Sequence, residues 1–141
     1  MSSPGKVTIY SVPCGAIDYA LEKHGALIDL ALENGGHRYT LPDLRTACME
    51  GEMQMFVAES DSEICGVLVT QIVQYPRRRV MQLAFMAGVG IDEMLPHANI
   101  FDRFARDMDA DELEIVGRMG WRKVMGEEWK TGGIILVKDL H

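Results

Sequence analysis

Between Val80 and Met125, strand, helix, strand and helix signals follow one another without interruption, and few topologies accommodate that succession. Val80 to Met86 is apolar at every position but Gln82, as in a strand buried between two layers. Strict alternation puts Val80, Ala84 and Met86 on one face and Met81, Leu83 and Phe85 on the other. The loop Ala87-Gly88-Val89-Gly90 ends this strand. His97, Ile100, Phe101, Phe104, Ala105 and Met108 then recur at helical spacing, with Asp102, Arg103, Arg106 and Asp107 on the wet side. Leu113 to Val116 reads as a second strand, and a crossover of this length makes the two strands parallel and right-handed. Ligands in such sheets bind beyond the carboxyl ends of strands, which singles out Ala87 to Glu93 and Gly117 to Gly120.

The flanking segments extend this unit into a sheet. Lys6 to Val12 is a first strand ended by Pro13, and apolar residues from Ala16 to Asn34 predict a helix that stops at Asn34-Gly35-Gly36, with Gly25 as a weak point. Thr40 and Asp43 have the spacing of a capping box ahead of a short helix that buries Leu41, Leu44, Ala47 and Cys48. Met53 to Glu59 and Ile64 to Tyr75 form an antiparallel hairpin about Ser60-Asp61-Ser62-Glu63, with Val67, Val69 and Val73 on one face and Leu68 and Ile72 on the other. After a short helix at Gly120 to Met125, Glu127 to Lys130 and Ile134 to Lys138 flank Thr131-Gly132-Gly133 as a closing hairpin. The expected order is β-α-α-β-β-β-α-β-α-β-β, an α/β (α+β) fold with a mixed central sheet and helices on both faces.

At 141 residues, 48% hydrophobic and 25% charged, the chain has the size and composition of one globular domain spanning residues 1–141. No apolar run reaches membrane-spanning length and MSSPGKVTIYSV lacks the core of a signal peptide, so the expected location is the cytoplasm or wherever an assembly such as a virion carries it. Cys14, Cys48 and Cys65 are an odd, widely spaced set and read as buried thiols in a reducing compartment. A net charge of −7 disfavours general binding to nucleic acid or anionic lipid.

The element order, with Val69-Thr70-Gln71-Ile72-Val73-Gln74-Tyr75-Pro76-Arg77 and Gly117-Arg118-Met119-Gly120-Trp121, resembles the GNAT superfamily of acyl-CoA dependent N-acetyltransferases, in particular small phage- and prophage-encoded GNAT-like proteins. The resemblance implies a loop after the fourth strand that holds the CoA pyrophosphate on backbone amides and a helix N-terminus. Ala87, Gly88, Val89 and Gly90 occupy that loop, and Gly88 and Gly90 match the family's two small positions. Phe85, however, stands where the family has Arg or Gln. Asp92 and Glu93 fall where the helix begins and would repel a pyrophosphate. The family's tyrosine general acid has no counterpart in Gly120 to Met125, and no acid/base pair stands out, Glu112 and Glu114 reading as exposed residues near a strand start.

Other signals favour plain structural readings. Arg77-Arg78-Arg79 reads as a solvated hairpin edge, or a docking contact for an acidic partner, rather than a phosphate or RNA contact. Asp107, Asp109 and Asp111 copy part of a calcium loop, but Glu112 replaces the glycine and Arg118 the bidentate acid. His24 and His97 lack second ligands at metal spacing, Cys14 lacks a nearby histidine, and the ten methionines sit mostly at core positions. The sequence thus predicts a GNAT-like protein without acetyltransferase activity or cofactor, working through association with other proteins such as virion components. The rival expectation is a working N-acetyltransferase that grips acetyl-CoA through Gly88 to Gly90 and the backbone beyond Met86.

Overall fold

A computed structural model describes residues 7–36, 38–88, 98–116 and 125–141. Strand β1 (Thr8–Ser11) leads through a 3-10 turn at Cys14–Ala16 into α1 (Ile17–Lys23), α2 (Gly25–Asn34) and α3 (Leu41–Met49). Strands β2 (Met53–Ser60), β3 (Glu63–Gln74) and β4 (Arg79–Ala87) follow, then α4 (Ala98–Asp107) and β5 (Glu112–Ile115). The strands lie in chain order in one sheet, antiparallel except for the parallel β4–β5 pair. This is the mixed α/β architecture expected from the sequence. None of the helices is long and apolar enough to cross a membrane among the described residues.

Two cores flank the sheet. On one face Ile17, Ile28, Ala31 and Leu44 from α1 to α3 close over Met53, Met55, Val67, Val69, Phe85 and Ala87. On the other, Phe101 and Ala105 of α4 cover Phe56, Leu68, Met81 and Leu83. The rings of Phe101 and Phe104 meet Phe56 edge-on at 5.1 and 5.3 Å, so the helical stripe read from the sequence docks on a fully buried aromatic.

Local sequence accounts for much of this. The Thr40 hydroxyl accepts the Asp43 amide at 3.3 Å while the Asp43 carboxylate accepts the Thr40 amide at 2.9 Å, which completes the capping box of α3. Thr40→Ala is therefore expected to cost about 1 kcal/mol. The Thr40 backbone amide, and after it the Thr40 hydroxyl, hold the Asp43 carboxyl below its ordinary value of 3.8, so its contribution is present at neutral pH and fades as pH falls through the carboxylate range. The stability gap between wild type and Asp43→Asn, measured by urea unfolding, should shrink on acidification. At the β2–β3 turn Asp61 and Ser62 have φ of 52° and 66°, the paired left-handed conformation that joins twisted strands through two residues.

Four expectations change. The helix expected over Ala16 to Asn34 breaks at His24, whose φ of −119° and ψ of 24° interrupt the ladder beside Gly25. Cys14 is exposed on the 3-10 turn rather than buried, and its Sγ donates to the Cys48 carbonyl at 3.5 Å. Cys48 is buried as expected, and that burial, with the Cys14 thiol beside it, pushes its pKa up to about 11. The closing hairpin is not formed, since residues 129–141 contain no strand. The arm Glu127 to Lys130 offers only Trp129 as an apolar residue to Ile134 to Val137, and a lone two-stranded hairpin is marginal. Lastly, Phe85 belongs with the α1–α3 core and Met86 with the α4 core, opposite to the strict alternation. A β-bulge is the cause. Val69 faces Phe85 while Thr70 faces Leu83, so Ala84 is an extra residue and every side chain beyond it changes face.

Candidate functional site

The same bulge marks where the sheet opens. Among the described residues β5 pairs with β4 from Val80↔Glu112 to Leu83↔Ile115, whereas β4 runs on to Ala87. The direction of the free peptide groups follows from the hydrogen bonds at the hairpin. The Tyr75 amide bonds to the Arg78 carbonyl, so odd-numbered residues of β3 face β4. Val69↔Phe85 and Val67↔Ala87 are then the bonded pairs, and Met86 between them turns its N–H and C=O towards the side that β5 has left. Asn34 at the end of α2 donates its Nδ2 to that Met86 carbonyl at 3.1 Å. An exposed strand edge with directed donors and acceptors accepts an extended, amide-bearing chain.

Ala87 and Gly88, the described part of the Ala87-Gly88-Val89-Gly90 loop, continue this edge. Ala87 is buried in the α1–α3 core. Gly88 has φ of +82°, and a Cβ there would collide with the Cys65 carbonyl and stand 3.0 Å from the Gly66 Cα. The crossing of β3 therefore demands glycine whether or not a phosphate approaches. Phe85 is only 6% exposed, with its ring 5.4 Å from Tyr39 and pressed against Gly35, so it points into the core rather than the loop. Val89, Gly90, Asp92, Glu93, His97 and Gly120 to Val124 lie outside the described residues, and so does the proposed clash between acids and pyrophosphate.

A second group of polar side chains lies one residue before the opening. Gln82 neighbours Met81 and Leu83 along β4 and so faces the opposite way, towards the α1–α3 side. Gln71 donates to Gln82 at 2.8 Å and Gln82 to the Glu114 carboxylate at 2.6 Å, forming a row across β3, β4 and β5. Glu114 is half-buried rather than exposed. Glu112 is exposed and pairs with Arg78 at 2.6 Å. A groove of about 570 Å³ opens beside them, lined by Tyr75, Pro76, Arg77, Arg78, Val80, Glu112 and Glu114.

The arginine run is largely committed to this end of the sheet. Besides the Arg78 pair, Arg79 donates its Nε to the Met108 carbonyl at 2.7 Å and an Nη to Gln74 at 3.3 Å. The Asp111 carboxylate accepts the Arg79 amide at 2.9 Å, which gives it a structural role. No group of three potential metal ligands occurs among the described residues.

No protein-family model matches the sequence, and no curated protein matches it. Solved structures do resemble the fold. An aminoglycoside acetyltransferase from an uncultured soil metagenomic sample, in complex with sisomicin, has a TM-score of 0.67 at 12% identity, over 96% of this chain and 97% of that one. A predicted acetyltransferase of Clostridium acetobutylicum with acetyl-CoA gives 0.63 at 9% identity, over 94% and 96%. Aminoglycoside N-acetyltransferase AAC(6')-Iy in complex with CoA gives 0.59 at 11% identity, over 100% and 99%. At these identities the likeness establishes the fold, which is that of the GNAT acetyltransferases.

Proposed function

We propose that this chain is an acyl-CoA dependent N-acyltransferase. The observation that carries the reading is that, among the described residues, β5 stops pairing with β4 at Leu83↔Ile115 while β4 runs on to Ala87, with the Met86 peptide turned to the β5 side. The amide-rich arm of coenzyme A fits such an edge by adding to it as a strand does. Met86 would hold the arm, with Ala87 and Gly88 beyond it towards the phosphates. Bound there, an acyl-CoA supplies an activated acyl thioester. The resemblance in fold to proteins solved with acetyl-CoA and CoA supports this choice of ligand. The arguments for a lost cofactor site rest on Phe85, which is a core residue, and on positions outside the described residues. Calorimetric titration with acetyl-CoA tests the proposal. A dissociation constant on the order of micromolar is expected, and no heat at millimolar ligand would defeat it.

A second reading, association with other proteins, is favoured by one feature. Ile134, Ile135, Leu136 and Val137 are 69%, 63%, 90% and 76% exposed, a contiguous apolar run of the kind that marks a protein interface. Lysines at Ile135 and Leu136 should then abolish any concentration-dependent association seen by sedimentation. A sedimentation profile identical for wild type and variant would remove this support. The phage setting belongs to this reading and is tested by whether virion genes neighbour this one.

A further inference from the structure

We propose that Cys14 and Cys48 close a reversible disulfide when the protein meets a small-molecule disulfide such as oxidised glutathione, and that this bond staples the turn ahead of α1 to the end of α3. The inference stands apart from the acyltransferase reading above.

Cys14 is exposed on the 3-10 turn Cys14–Ala16, and a Cβ on the next residue, Gly15, would meet nothing within 4 Å, so a small disulfide can approach the thiol. Its Sγ already donates to the Cys48 carbonyl at 3.5 Å. A carbonyl oxygen lies about 2.4 Å from its own Cα, which puts the Cys14 sulfur within about 6 Å of the Cys48 Cα. Disulfide geometry then asks for a shift on the order of 2 Å. The turn can supply it, because it is closed by local bonds that move with it: Ala16 N–H to the Pro13 carbonyl at 2.8 Å and Ile17 N–H to the Cys14 carbonyl. The seam is aligned as well. Asp18, one helical turn after Cys14, accepts from Arg45, about one turn before Cys48, at 2.5 and 3.2 Å, so α1 and α3 already face each other at both levels. Cys65 packs with the α4 core, across the sheet from Cys48, and does not compete within the chain.

Exposure makes Cys14 the attacking thiol, and burial, which holds Cys48 up at about 11, makes Cys48 the resolving one. The Cys14 thiolate attacks one glutathione sulfur, and the glutathione S–S bond breaks with its electron pair leaving on the other glutathione. Cys48 gives its proton to solvent, attacks the Cys14 Sγ and expels the second glutathione as thiolate. The two protein thiols have then lost two electrons and two protons, and the glutathione disulfide has become two thiols. The new bond closes a loop over residues 14–48 that contains α1, α2 and nearly all of α3, the helical cover of Met53, Val69 and Phe85. Joining the ends of that loop removes chain entropy from the unfolded state.

The test incubates the full, reduced chain with oxidised glutathione and maps the products by peptide mass spectrometry. A peptide pair joining Cys14 to Cys48, released by dithiothreitol, is the expected product. A glutathione adduct that stays on Cys14, or a bond to Cys65, overturns the proposal. In scanning calorimetry the oxidised form should melt about 5 to 10 °C above the reduced form. An unchanged or lower Tm overturns the stapling role. Cys14→Ser keeps a donor for the Cys48 carbonyl, so it should melt like the reduced wild type and lose the shift on oxidation, whereas Cys65→Ser should keep the shift. Cys48→Ala, which places no polar group in the core, should stop at the glutathione adduct on Cys14. A rise in Tm on oxidation that survives in Cys14→Ser or Cys48→Ala would assign the effect to another thiol and overturn the bond.

Discussion

Gly88→Ala is expected to destabilise the protein by about 3 kcal/mol or more, which lowers Tm by on the order of 10 °C. Two costs combine. At φ of +82° a side chain is strained in any surroundings, and here the added Cβ also strikes the Cys65 carbonyl. The neighbouring pair Val67↔Ala87 ties β4 to β3, so the backbone cannot retreat without breaking ladder bonds. Gly126→Ala separates the two costs, because Gly126 has φ of +81° with nothing within 4 Å of a Cβ. That variant should lose only about 1 kcal/mol. Equal losses in the two, by urea midpoint at constant m value, would show that the approach to Cys65 carries no energy. A loss of acetyl-CoA affinity in Gly88→Ala would accordingly not establish a phosphate contact.

Phe85→Arg carries the other large effect. By resemblance this substitution restores a cation at the head of the cofactor loop. By structure it buries a guanidinium against Tyr39 and Gly35, in a site where the phenyl ring is 6% exposed. Phe85→Ala should already cost about 3–5 kcal/mol, and Phe85→Arg at least as much because the charge has no partner there. The expected result is a poorly folded protein with no gain in acetyl-CoA affinity. A variant as stable as wild type that binds acetyl-CoA more tightly would mean that position 85 faces the loop after all.

Where sequence reasoning worked, the signal was local. The capping box at Thr40 and Asp43 depends on residues three apart, and the stripe of Ile100, Phe101, Phe104 and Ala105 on one helical period. Composition likewise sufficed for the β4–α4–β5 crossover, because an apolar strand, an amphipathic helix and a short strand in that order have few ways to pack. The site was harder. Gln71, Gln82 and Glu114 are far apart along the chain, and only the register Gln71↔Gln82 and Gln82↔Glu114 brings them into one row. Glu114 accordingly looked like a solvated acid near a strand start. Ala84 gives no sign in the sequence that it is a bulge, since an extra residue in an apolar strand leaves the composition unchanged.

By itself, then, the sequence determined the order of the elements from β1 to β5 and the two apolar surfaces that enclose the sheet, though not the break at His24 or the missing closing hairpin, because helix and strand periods are properties of neighbouring residues. Only the tertiary structure decided which way Phe85 faces, why Gly88 must be glycine and which carboxylate joins Gln71 and Gln82 in one row. Each of those depends on cross-strand register, and register is set by how whole strands pack against both layers at once.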